Sequence, residues 1–342
     1  MIVRATRFVY LCAFYLLLCL QWSYGDLTYA AEIESTEIGD CKILLTGSIL
    51  VNDYIRLKRI AQDIPNTPER RLCLNSTGGS FWGGVLLFEA ISELGIPTRI
   101  DAGMECYSAC AIAFMGGLED HGEFKRISRE LNVKGKLGFH APFFELASGT
   151  NLDIGRLEQM TETQSRAFAY LLRLNFLEND TLEGQRFPTT LLIKMFERNS
   201  DELELLDTYG EAIIWSVRLD GYKDPPDLDF YSAQNACANM WNFYDSRFDL
   251  DETSHLPIRQ REMVLSDQYV VPSIEVGIGF GQEENPAASC EIAAVPAEYP
   301  FKYSDFENPR YDSSFIVAKI YPESFQRMYP TYWLNKPTEK FQ

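Results

Sequence analysis

The chain has 342 residues and a formal net charge of −18, from 31 Lys and Arg against 49 Asp and Glu. With 46% hydrophobic and 13% aromatic residues it carries ample apolar material for a core, which excludes disorder over most of its length. So large an acidic excess repels phosphate backbones and excludes nucleic-acid binding as a main task.

Arg4 and Arg7 precede a nearly unbroken apolar run from Phe8 to Leu20, followed by small residues that suit cleavage after Gly25 or after Ala30. This layout predicts a secretory signal peptide over residues 1–25, removed on export to the periplasm or beyond. The run is shorter than the ~20 apolar residues of a spanning helix, so an uncleaved anchor is the lesser reading. No second stretch reaches spanning length. Cys12 and Cys19 leave with the signal, and Cys41, Cys73, Cys106, Cys110, Cys237 and Cys290 remain. An even number of cysteines in an exported chain is compatible with disulfides. Cys237 and Cys290 stand alone in the C-terminal part and are expected to pair, whereas the other four leave several pairings open. Cys106-x3-Cys110 has no second Cys/His pair at ligand spacing, and His121, His140 and His255 are scattered, so no metal site is expected.

Lys42–Thr46 reads as a buried strand ended by Gly47, Leu72–Asn75 as a second and Thr98–Asp101 as a third. Between the second and third, Leu87, Ile91 and Leu94 recur at i, i+4 and i+7, and Gly95 with Pro97 stops the helix. Strands alternating with helices at this spacing predict an α/β domain with parallel crossovers over residues 36–220. A long helix follows from about Leu152 to Leu177, carrying Leu157, Met160, Phe168 and Leu171. A shorter one, entered through Pro188, runs from Thr189 to Arg198. Asp224-Pro225-Pro226-Asp227 suits a linker, because Pro-Pro continues neither a helix nor a central strand. Residues 221–342 then read as an accessory module, largely β or irregular, with strand-like pieces at Tyr269–Val271 and Ser314–Ile320. Gly277-x-Gly279-x-Gly281 lies within it and opens no helical pattern, so a glycine-rich turn is expected there and not a dinucleotide loop.

Three segments carry chemistry. Asn75-Ser76-Thr77-Gly78-Gly79-Ser80 follows a strand and precedes an apolar helix, where paired glycines allow a sharp turn with exposed N–H groups. Cys106-Tyr107-Ser108-Ala109-Cys110 precedes the small apolar run Ala111-Ile112-Ala113-Phe114. A serine at such a helix start is either an N-cap or a hydroxyl held at a fixed point. Gly138-Phe139-His140-Ala141-Pro142 sets one histidine in an apolar, strand-like setting, either as a satisfied core residue or as a base for a serine hydroxyl.

In this order the three segments resemble the ClpP/crotonase superfamily, specifically the proteolytic subunit of Clp proteases and its exported relatives. The likeness runs from about Lys42 to Trp215 and includes Leu45-Thr46-Gly47 at the end of the first strand. It implies a fold of ββα crossover units and a Ser-His-Asp site. On it, Ser108 is the nucleophile, His140 the general base, and Gly78 and Ala109 supply oxyanion N–H groups. The third member falls after the shorter helix, where Asp201 matches best and Glu202 and Asn199 are its neighbours. Thr77 stands where the protease subunit usually has proline, and the segment Glu119–Lys136 is longer and more charged than in the protease.

The resemblance implies hydrolysis of a peptide or unfolded protein segment outside the cytoplasm, with no metal or organic cofactor. It also implies self-association, since family members often form rings. Three other readings compete. One is a coenzyme-A thioester hydratase or isomerase. Another is Ser/Lys catalysis with Lys134 or Lys136 as base. The third is a non-catalytic binding or assembly protein of the periplasm.

Overall fold

The computed structural model describes residues 31–341 apart from 66, 68–69, 121, 123–124, 144–152, 177–181, 184–185, 199–201, 224–226, 245–257, 267–268, 279–287, 295–314 and 322–325. The expected signal peptide, the Pro225-Pro226 pair, Gly279 and Gly281 lie outside the described residues. In chain order the first elements are β1 (Glu32–Ser35), β2 (Ile43–Thr46), α1 (Asp53–Gln62), β3 (Leu72–Asn75), α2 (Phe81–Leu94), β4 (Thr98–Ile100), β5 (Glu105–Tyr107) and α3 (Ala109–Phe114). Next come β6 (Leu118–Asp120), β7 (Lys125–Ile127), β8 (Arg129–Asn132), β9 (Lys136–Phe139), α4 (Ile154–Phe176) and β10 (Leu182–Glu183). Then follow α5 (Thr189–Glu197), β11 (Glu204–Leu205), α6 (Tyr209–Ile214), β12 (Arg218–Asp220) and α7 (Phe230–Tyr244). The last elements are β13 (Ile258–Ser266), β14 (Tyr269–Ile278), β15 (Ala288–Ala294), β16 (Phe315–Tyr321), β17 (Gln326–Pro330) and a 3-10 turn at Thr331–Leu334.

The protein is α/β with mixed sheets. Its main sheet has the order β1-β2-β3-β4-β8-β12, with β1 antiparallel and every other neighbouring pair parallel. The expected strands at Lys42–Thr46, Leu72–Asn75 and Thr98–Asp101 are β2, β3 and β4 within a residue at each end. The crossovers α1 and α2 turn Leu57 and Ala61, and Val85, Leu87, Phe88, Ala90 and Ile91, into the core. Ser80 caps α2 by accepting from the Gly83 N–H at 3.3 Å, and Gly95 closes it at φ +60, a conformation that costs glycine little.

One carboxylate ties this sheet together. Glu130 of β8 is 6% exposed and pairs with Arg71 at 3.3 Å, with Arg99 of β4 and with Arg218 of β12. Arg99 also pairs with Asp101 and, at 2.6 Å, with Asp220. Burial works to lower the Arg99 pKa, but the hydrogen bonds and charges of Asp101 and Asp220 prevail and hold it above its ordinary value. Cations and anions are thereby interleaved across β4, β8 and β12, with Arg71 immediately before β3.

The C-terminal part is a five-stranded antiparallel meander, β13-β14-β15-β16-β17. It also holds a 15-residue helix, where the sequence predicts largely β or irregular structure. Ala233, Ala236, Cys237 and Met240 of α7 are fully buried. The expected Cys237–Cys290 disulfide joins this helix to β15. Asn239 donates to the Trp333 and Asn335 carbonyls at 2.9 and 3.0 Å, fixing the final turn against the same helix. The chain end then returns to α6, where the Tyr209 and Gly210 N–H groups bond the Glu339 and Pro337 carbonyls. Cys41 pairs with Cys73 and Cys106 with Cys110, which settles the pairings the sequence leaves open. Among the described residues, no helix is long and apolar enough to cross a membrane.

Glu130→Gln keeps the shape of the buried side chain but removes the charge facing three guanidinium groups. It is expected to lower stability by about 3–5 kcal/mol, the usual cost of breaking a buried ion pair. Urea unfolding checks this, and a loss below about 1 kcal/mol would mean the cluster holds little.

Candidate active site

A second small sheet, β11-β9-β5, brings the three sequence segments together. β5 and β9 are parallel, with Tyr107 opposite Gly138, and Ser76 bridges Cys106 from the end of β3. The carboxyl ends of β3, β5 and β9 therefore meet on one side. In α/β sheets such ends are where chain loops leave room for a ligand. From them emerge the Ser76–Ser80 loop, Ser108 and His140.

Ser108 sits between β5 and α3 at φ +56 and ψ −122, and its side chain makes no capping hydrogen bond. The N-cap role is therefore not the one it plays. A non-glycine residue at such a φ costs of order 1–3 kcal/mol and persists only where its surroundings fix it. Here the Ser108 N–H bonds the Gly138 carbonyl at 3.0 Å, and the Ser108 carbonyl accepts from the Ile112 N–H at 3.1 Å. Gly84 lets α2 press on the turn, because a Cβ there would lie 2.4 Å from the Ala109 carbonyl oxygen.

Gly78 approaches from the other side. A Cβ on it would stand 2.7 Å from the Ser108 Cβ and 2.8 Å from the Tyr107 oxygen, so only glycine fits. Its φ of +108 excludes other residues for a second reason. Among the described residues the Ala109 N–H finds no hydrogen-bond acceptor. The Gly78 N–H, by contrast, donates to Ser76 Oγ at 3.1 Å, and that hydroxyl donates onward to the Gly47 carbonyl at 2.5 Å. Of the two expected oxyanion donors, one is open and one is already engaged.

His140 is half-buried at the end of β9, with its ring 4.9 Å from that of Phe143. Its Nδ1 lies 2.8 Å from the Ala141 carbonyl oxygen. A carbonyl can only accept, so Nδ1 is the donor in this contact, which leaves Nε2 as the ring nitrogen not engaged by it. The Gln164 amide of α4 donates to the Pro142 carbonyl at 3.0 Å and steadies the turn beyond the histidine. Helix α4 is itself held to α2 by a Tyr170–Glu89 hydrogen bond and a Trp82–Tyr170 edge contact at 5.7 Å. Burial, then the hydrogen bond and charge of Glu89, push the Tyr170 phenol up to about 12, so it remains the donor at neutral pH.

Among the described residues no hydrogen bond joins Ser108 to His140; the two side chains leave neighbouring strand ends with their polar atoms directed elsewhere or free. Asp201 and Asn199 lie outside the described residues. Strand β11 begins beside the end of β9, with Glu204 opposite Phe139. Glu204 is buried in pairs with Arg198 at 2.5 Å and Lys194 at 3.4 Å, and Glu202 is exposed. Lys136 pairs with Glu105 at the far end of β5 and β9, and the turn holding Lys134 precedes it, so neither lysine is near Ser108. Cys41, Cys73 and Asp101 are the one group of metal-type ligands among the described residues, but the two sulfurs are bonded to each other and offer no thiolate. The Ala141 carbonyl and the Ser76 hydroxyl are the two participants that the motif reading does not assign.

Gly78→Ala is expected to lower stability by about 1–3 kcal/mol more than Gly103→Ala, from the overlap with Ser108. Gly103 also has a positive φ, of +78, but open space around it, so the excess loss at Gly78 reports its close contact together with its more forbidden φ of +108. Equal losses in urea unfolding would show that the close approach carries no energy.

No protein-family model matches the chain, and no curated protein matches it.

Proposed function

We propose that the protein is an exported, ClpP-like serine peptidase that hydrolyses peptide bonds through Ser108 and His140. The observation that carries the reading is the turn at Ser108. A serine at positive φ, uncapped and pressed by Gly78, stands between a strand and a helix while a histidine ends the adjacent parallel strand. Resemblance to the ClpP/crotonase superfamily in the order of the three segments adds to it. Export is supported by Arg4, Arg7 and the apolar run after them, together with three disulfides.

In this reading Ser108 Oγ attacks the peptide carbonyl carbon while His140 Nε2 takes the hydroxyl proton. The tetrahedral oxyanion is met by the Ala109 and Gly78 N–H groups, a contribution of ~10²–10³ in rate for one such donor. The C–N bond then breaks, the amine leaves with the proton from His140, and water repeats the attack to release the acid and restore the serine. The substrate is a peptide or unfolded protein segment, and the chemistry calls for no metal or organic cofactor. Asp201 is the proposed third member. The Ala141 carbonyl already holds Nδ1, so Asp201 contributes less than the dyad.

A second reading, a non-catalytic binding or assembly protein of the same fold, is favoured by two observations. No hydrogen bond joins Ser108 to His140 among the described residues, and the Gly78 N–H is engaged by Ser76. A fluorophosphonate probe separates the two, because it forms an Oγ–P bond with loss of fluoride only at an activated serine. The peptidase reading expects labelling that Ser108→Ala abolishes and that His140→Ala slows by ~10²–10⁴. Asp201→Asn should slow it less than either. A folded wild-type chain that takes up no probe would leave the binding reading.

A further inference from the structure

The cysteines on either side of Ser108 are bonded to each other. Cys106 is the second residue of β5 and Cys110 the second of α3, and neither has any solvent exposure. The bridge closes a loop that contains only Tyr107, Ser108 and Ala109. We propose that this disulfide positions the Ser108 hydroxyl and the Ala109 N–H for reaction, with little part in holding the fold; the proposal rests on the serine-peptidase reading.

Four steps of extended chain would separate the ends by ~13 Å. The disulfide holds the Cys106 and Cys110 Cα atoms 5.2 Å apart, so the chain must reverse within the three residues between them. Tyr107 cannot supply the reversal, because it is paired in the ladder opposite Gly138. Ala109 cannot either, since it is helical and its backbone lies against Gly84. Ser108 is left to take the whole turn, and it does so at φ +56. The two backbone hydrogen bonds of Ser108 hold its amide to β9 and its carbonyl to α3, but neither joins β5 to α3 directly. The covalent link between Cys106 and Cys110 does join them.

The same geometry limits what the bridge contributes to stability. In the chain-entropy model a loop this short constrains the unfolded chain roughly half as much as a loop of about fifty residues. The Cys237–Cys290 bridge, with a sequence separation of 53, is therefore the natural comparison. A staple of the fold and a positioning device then rank in opposite order by the two measurements.

The test uses the full chain as wild type, as C106A/C110A and as C237A/C290A. The limiting rate of labelling at saturating fluorophosphonate and the urea midpoint are read for each. Removing the Cys106–Cys110 bridge should slow the limiting rate at least tenfold, with a smaller midpoint shift than removal of Cys237–Cys290 causes. C237A/C290A should label at the wild-type rate in urea-free buffer while its midpoint falls. If C106A/C110A does not fold, C106S/C110S, which retains side-chain volume better, takes its place. Failure of both to fold overturns the proposal, because the bridge would then be a stability element. A limiting rate within tenfold of wild type also overturns it. Absence of labelling in the wild-type chain is a different outcome and removes the peptidase reading itself.

Discussion

The buried Glu130 cluster sits at the base of every segment that reaches the candidate site. Arg71 immediately precedes β3, whose far end carries Ser76 and Gly78. Arg99 lies in β4, which leads through Asp101–Met104 into β5 and Ser108. Glu130 itself lies in β8, and only the turn Val133–Gly135 separates that strand from β9 and His140. One carboxylate thus fixes the relative placement of three strands that deliver the loop, the serine and the histidine. A shift of β8 against β4 would move His140 relative to Ser108 by the same register step.

Such a cluster is not free of cost. Removing charges from water costs several kcal/mol for each ion, and close pairing recovers this only when the geometry is complete. Here Arg71, Arg99 and Arg218 face Glu130, Asp101 and Asp220, with Asp40 3.7 Å from Arg71. The signs are matched, and Arg99 bonds three carboxylates at once. What the arrangement contributes beyond energy is register. Parallel strands of three or four residues have few ladder hydrogen bonds, so slippage is weakly opposed by the backbone alone. Oppositely charged groups on neighbouring strands oppose it strongly.

The legibility of the chain follows from how each element is stabilised. Leu72–Asn75 and the Leu87, Ile91, Leu94 stripe of α2 are readable because large apolar side chains mark the buried face. Helix α7 has an equally regular stripe at Ala233, Ala236, Cys237 and Met240, but small residues and a background of Asn and Gln give it almost no contrast. The β11-β9-β5 sheet escapes notice for a different reason, since strands of two to four residues carry no period to count. At the candidate site, residue type and order single out Ser108, His140 and Gly78 as the proposed participants. The Ala141 carbonyl is not, because a backbone acceptor leaves no mark on a sequence. Asp201 lies outside the described residues, so the third position stays with the sequence argument.

The engaged Gly78 amide bears on how the proposed chemistry would be driven. Ser76 Oγ accepts from that N–H and donates to the Gly47 carbonyl, so the hydroxyl keeps its outgoing bond whether or not the incoming one is made. A neutral substrate carbonyl competes with the neutral hydroxyl on nearly equal terms and gains little at this position. A tetrahedral oxyanion competes differently, since a charge-assisted hydrogen bond is about twice as strong as a neutral one. On the peptidase reading, the Gly78 amide therefore changes partner only as negative charge develops. Ala109, whose N–H is open, meets ground state and transition state alike. The interaction withheld from the ground state is the one that lowers the barrier, because binding that strengthens only in the transition state raises the turnover rate.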